Sequence, residues 1–189
     1  MADKKNTRSE GNRRSSVGLL VIDVQQGLFE RRTPIFKAEQ LLDCITTLID
    51  KARQNGVPVF FVQHANKGSL AEGSSAWQFH PRIEPLEGES VIHKRQGNAF
   101  KDTVLREELE SGGVSEVVVV GLVTHGCVQA TCLGALGLGY HVLLVKDGHS
   151  SYNRQAGQLI VEWNQRLQER GVEVKRSQET DFRNWQVAS

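Results

Sequence analysis

Glu116-Val-Val-Val-Val-Gly121, running on into Leu122-Val-Thr-His-Gly-Cys127, decides the fold. Four consecutive valines between an acid and a glycine make a run too short for a helix and free of polar breaks. Such a run marks a parallel strand covered on both faces. The chain then turns through Gly126 into residues 127–138, which read as a helix, and residues 141–145 read as the next strand. Strand, turn, helix and strand make one right-handed crossover unit.

The same alternation extends outward in both directions. Toward the N-terminus, residues 17–23 form a short apolar strand ending in Asp23, and residues 37–54 carry apolar side chains at helical spacing until Asn55-Gly56 stops them. Residues 57–62 read as a strand with Pro58 near its start, 90–93 as a short strand, and 103–110 as a helix closed by Gly112-Gly113. Toward the C-terminus, residues 154–170 are amphipathic and 172–174 supply a last strand. The expectation is a single-domain, three-layer, Rossmann-like α/β fold, with a mostly parallel six-stranded sheet and helices on both faces. No internal repeat is visible, and the domain is expected over residues 17–189. Residues 66–88 form a long loop rich in Gly, Ser and Pro, a length that usually signals function.

Composition narrows the function classes. With 189 residues, 39% apolar and 24% charged, the chain can bury a sizeable core. A formal net charge of +1 gives no reason to expect nucleic acid or an anionic membrane as partner, and no apolar run is long enough to cross a bilayer. Residues 1–16 are polar and locally basic without an apolar stretch behind them, which reads as a disordered tail rather than a secretory signal. Cys44, Cys127 and Cys132 are odd in number and lack metal-knuckle spacing, so free thiols in a reducing, cytoplasmic setting are expected.

In an open parallel sheet, ligands bind beyond the carboxyl ends of the strands. Three reactive groups fall there: Asp23 after the first strand, Lys94 after the third, and Cys127 after the valine strand. A thiol attacks as thiolate, and a helix start beside a cation lowers its pKa, so Lys94 can activate Cys127. Asp23 can accept the thiol proton and return it to a leaving amine. Backbone amides of the turn can hold a tetrahedral oxyanion.

These stretches resemble the isochorismatase-like cysteine hydrolase superfamily, which includes nicotinamidases and N-carbamoylsarcosine amidohydrolases. The matching segments are Leu20-Val-Ile-Asp-Val-Gln25, Val91-Ile-His-Lys94 with Asn98-Ala-Phe100, and Val118-Val-Val-Gly-Leu-Val-Thr-His-Gly-Cys-Val128. The resemblance implies an Asp23–Lys94–Cys127 triad, a cis peptide before Val123, and an oxyanion hole from the amides of Val123 and Cys127. It implies a homo-oligomer and a small-molecule amide substrate. Nicotinamidases of this family carry an Asp-x-His metal motif after the second strand, whereas this chain reads Gln63-His64-Ala65-Asn66. His64 and His80 without a carboxylate make a poor hydrolytic zinc site, so no metal and no other cofactor is expected. Isochorismatases proper cleave a vinyl ether without a cysteine nucleophile; Cys127 favours an amide or ureido bond instead. The rival classes are a thiol-based redox sensor and a catalytically silent interaction module.

Gln25, His64, Trp77, His80, Phe100, Thr124 and His125 are candidate pocket residues. Each has a plainer reading. Gln25 can cap the first helix, Phe100 can pack beneath Lys94, and Trp77 with Phe79 can plug the loop. Thr124 can bond locally within the turn. Cys44 and Cys132 read as core, Asp147-Gly148-His149 as a turn after the fifth strand, and Gly134, Gly137 and Gly139 as close helix–sheet packing.

Overall fold

A computed structural model of the chain describes residues 16–182. The basic segment read as a tail lies outside them, save for Ser16, which opens the first strand. Six strands form one sheet: β1 (Ser16–Ile22), β2 (Val59–His64), β3 (Ser90–Lys94), β4 (Val114–Leu122), β5 (His141–Ser150) and β6 (Glu173–Lys175). Their order is β3-β2-β1-β4-β5-β6, and every neighbouring pair is parallel. The connections run outward from β1 to β3, then return to β4 beside β1 and run outward the other way. The reversal opens a crevice between the C-terminal ends of β1 and β4.

The helices are α1 (Gln26–Phe29), α2 (Ala38–Gln54), α3 (Leu105–Ser111), α4 (Gln129–Gly137) and α5 (Ala156–Glu169). Side chains alternate across the pleat and so feed two cores. Leu19 and Val21 of β1 join Leu41, Leu42, Ile45, Leu48 and Ile49 of α2 on one face. Leu20 and Ile22 face the other way, toward Leu105 and Leu109 of α3, Cys132 of α4 and Leu167 of α5. Among the described residues no helix is long and apolar enough to cross a membrane.

Two backbone features shape the crevice. Asp23 follows β1 at φ 50°, in the left-handed region that Asp tolerates better than most residues. Gly121 has φ 122° and pairs with Ile22, and any Cβ there would collide with the Ile22 carbonyl, so only glycine lets β4 approach the end of β1 so closely.

Several sequence expectations are corrected. The fifth strand does not end at Val145 but runs to Ser150, carrying Asp147, Gly148 and His149 inside it rather than in a turn. Its register against β4 shifts between Val119 and Gly121, which accommodates the extra residues as an irregularity. Pro58 lies just before β2, and the helix expected from Cys127 begins at Gln129. Residues Thr124–Val128 instead form a π-type turn, with Gly126 at non-helical angles. Gly134 packs not on the sheet but against the side chain of Asn98.

Candidate active site

Three strand ends deliver the side chains. Asp23 leaves β1, Lys94 is the last residue of β3, and Cys127 lies in the turn after β4, where the Leu122–Val123 peptide is cis. Lys94 and Asp23 are buried, and Nζ donates to Asp23 Oδ2 at 2.7 Å. Nζ also lies 3.1 Å from the Gln96 carbonyl and 3.3 Å from His64 Nδ1. An ammonium has three protons and no lone pair, so these three acceptors satisfy it completely and His64 must present Nδ1 as acceptor. Burial first, and Lys94 second, lower the His64 pKa, so its ring is neutral near pH 7.

Asp23 Oδ1 is a buried oxygen without a hydrogen-bond partner. The half-buried Cys127 lies nearby, its Sγ within 4.8 Å of a carboxylate oxygen of Asp23 and a ring nitrogen of His64. Burial pushes the Cys127 thiol up to about 12; the Asp23 charge adds to the rise and Lys94 opposes it. The cation expected to lower this pKa opposes the rise without reversing it. Desolvation outweighs the cation, and the resting sulfur keeps its proton beside a carboxylate oxygen with room to accept it. Inactivation by iodoacetamide should accelerate with pH and show no plateau below pH ~10. A plateau near neutral pH would mean that a thiolate is already formed.

Asp23, His64 and Cys127 are the types of group that bind metals, but the set does not fit a metal centre. The lone pairs of Oδ2 and Nδ1 already converge on the Lys94 ammonium, which fills the place of a cation. His80 is occupied differently: its ring packs on Phe29 at 4.7 Å and Nδ1 accepts the Arg82 N–H.

The other candidates sort by partner. Gln25 does not cap α1 with its side chain; it is fully buried as a brace. Its Nε2 donates to the carbonyls of His64 and Trp77, and its Oε1 accepts the His64 N–H. Gln63, which the sequence did not single out, donates to the same Trp77 carbonyl at 2.8 Å. These bonds fasten the 66–88 loop over the strand ends, and the Trp77 ring meets His93 edge-on. Phe100 stacks on Tyr140, with ring centroids 5.6 Å apart. His125 is half-buried, its Nδ1 lying 3.4 Å from Ser151 Oγ.

Thr124 is not bonded locally. Its hydroxyl lies 2.9 Å from His149 Nδ1 and donates to the Ser150 carbonyl at 3.0 Å. His149 Nε2 in turn meets the Asn164 amide at 3.0 Å. Since the one hydroxyl proton goes to Ser150, Nδ1–H donates to Thr124 and Nε2 accepts. The structure sets Asn164 Oδ1 against Nε2, so an accepting Nε2 requires the amide turned by half a rotation, which brings NH2 to the ring and gives the otherwise unpartnered Nδ2 a role. His149 was read as a turn residue; its signal was present only in Asn164, a polar residue on the apolar stripe of α5. Burial pushes the His149 pKa down to about 4 from an ordinary 6.5. Between those values the unfolded chain takes up the proton and the folded one does not, so this residue's contribution to stability is full above pH 6.5 and declines as pH falls toward 4. A 15N NMR titration should find His149 neutral and Nδ1-protonated at pH 5.5; an imidazolium there would overturn the assignment.

An isochorismatase domain model matches residues 17–178. A streptothricin hydrolase of Streptomyces noursei is 32% identical over 71% of this chain, which spans only 54% of that protein. Nicotinamidase 3 of Arabidopsis thaliana is 30% identical, with 80% of this chain and 82% of that protein covered. The crystal structure of an isochorismatase from Pseudomonas putida superposes with a TM-score of 0.80 at 29% identity, covering 86% of this chain and 88% of that one.

Proposed function

The chain belongs to the isochorismatase family of hydrolases, and from that premise we propose that it cleaves a small-molecule amide or ureido C–N bond through a thioester on Cys127. The observation that carries this reading is that Asp23, with Oδ2 held by Lys94 and Oδ1 without a hydrogen-bond partner, has a carboxylate oxygen within 4.8 Å of the Cys127 sulfur.

Asp23 takes the thiol proton as sulfur attacks the carbonyl carbon, so no free thiolate need exist beforehand. Lys94 fixes the carboxylate and offsets the negative charge that builds beside it. The amides of Val123 and Cys127 receive the oxyanion. Collapse breaks the C–N bond, and the departing ammonia or amine takes the proton from Asp23. Water then gives a proton to Asp23 and adds to the thioester. The acid, or a carbamate from a ureide, leaves, and the proton returns to sulfur. His64 keeps Lys94 oriented throughout. The fold and the fused chemistry of Asp, Lys and Cys favour this over a redox role, and relatives that include amidases support it.

Intact-protein mass spectrometry during incubation with a panel of small amides tests it, with ammonia release read in parallel. The expected result is a mass increase equal to one acyl group, located on Cys127. Ammonia released without any such adduct under single-turnover trapping would overturn the thioester. Hydrolysis of a vinyl ether with no adduct would favour the isochorismate-type reaction instead.

A further inference from the structure

We propose that a cavity on the β5 side of the nucleophile turn is a second site, which binds a small anion with an apolar ring or chain and bears on that turn. The cavity measures about 310 Å³, within the range of small-molecule sites. None of Asp23, Lys94 and Cys127 lines it. It lies between the first turn of α2, the C-terminal half of β5, Ile160 of α5 and Arg176 just beyond β6.

Its charge is lopsided. Lys37, Lys146 and Arg176 border it, and among the described residues none of the three is in an ion pair. The acid on its wall, Asp147, is already engaged, its two oxygens accepting the N–H and O–H of Ser177 at 2.8 and 2.7 Å. Glu39, in the same turn of α2, is drawn toward Arg82. His149 is neutral, so the lining is left with a surplus of positive charge. Apolar residues share the lining: Leu41, Ile160 and Phe36, which is 40% exposed and has the Lys37 ammonium 5.4 Å from its ring centroid. Cations against an apolar wall suit a carboxylate or phosphate carried on a ring or short chain.

The floor connects to the candidate active site. Ser150 Oγ donates to the Phe36 carbonyl at 2.6 Å, and the Phe36 N–H donates to Ser151 at 2.9 Å. His149 and Ser150 both bond Thr124, three residues before Cys127. A ligand resting on Phe36 and His149 therefore presses on the segment that positions the nucleophile. This site stands whether or not the thioester reading is correct, because its test is binding.

Phenyl phosphate is the probe, titrated into the full chain by calorimetry and 15N NMR. The expected result is one saturable site per chain, with amide shifts at Lys37, Lys146, Ser150 and Thr124. Inorganic phosphate alone and phenol alone should each bind at least about tenfold more weakly. Lys146→Gln with Arg176→Gln, both at exposed positions, should keep the melting temperature and weaken the probe about tenfold. Thr124→Val should retain binding and the shift at Ser150 but lose the one at residue 124, because the hydroxyl that ties it to His149 and Ser150 is gone. The proposal is overturned if no saturable binding appears, or if the shifts centre on Lys94 and Cys127 and ignore the charge variants. It is equally overturned if sedimentation shows this face closed between two copies of the chain.

Discussion

Cys127→Ala should lose turnover by a factor on the order of 10⁴ while the protein stays folded. In the proposed mechanism the loss is large because Asp23, Lys94 and Cys127 act on a single proton and a single carbon, and no other described thiol stands at the strand ends. Cys132 is fully buried in α4, and Cys44 lies on α2. The fold should hardly notice. The side chain is half-buried, and removing one sulfur atom costs about 1 kcal/mol or less. The measurement pairs steady-state ammonia release with thermal unfolding of the same preparation. Turnover within tenfold of the parent at an unchanged melting temperature would remove Cys127 from the mechanism.

Lys94→Met is expected to damage both activity and stability. The ammonium and the Asp23 carboxylate are both buried, and the pair is tied at 2.7 Å. Deleting one partner strands a buried charge at a cost of about 3–5 kcal/mol, whereas replacing both with apolar or neutral groups is often close to neutral. Lys94→Met should therefore unfold at much lower urea than the parent, and adding Asp23→Asn should restore most of the loss without restoring turnover. Urea titration of the two single variants and the double variant gives the coupling directly. Additive effects would mean that the two side chains do not depend on each other.

The frame of this site was legible in the sequence because its three groups end strands, and strand ends in a parallel sheet share one edge. The valine run puts Cys127 in the turn after its strand, and the short strand expected over 90–93 puts Lys94 at its end. What stayed hidden depends on pairing across the fold. Nothing near Gln25 announces that the His64 and Trp77 carbonyls will arrive beside it, because β2 and the loop reach it only once the sheet has formed. Asp147-Gly148 looked like a turn since that dipeptide usually is one. In the structure Gly148 sits inside β5, where a Cβ would come within 2.8 Å of Val120. The protonation of the resting thiol stays hidden for a related reason: the neighbouring charges can be guessed from sequence, but the extent of desolvation around Cys127 cannot.

The grip of Gln25 and Gln63 on the 66–88 loop has a further consequence. Both amides hold Trp77 by its main-chain carbonyl, a group that every amino acid carries. The anchor is thus blind to the identity of residue 77. Residue 77 can therefore change without loosening this anchor, whereas Leu70 and Ile83 of the same loop are buried in the core and are held to their packing. Substitutions at position 77 should leave the strand ends in place, whereas substitutions at Gln25 or Gln63 should release the loop from them.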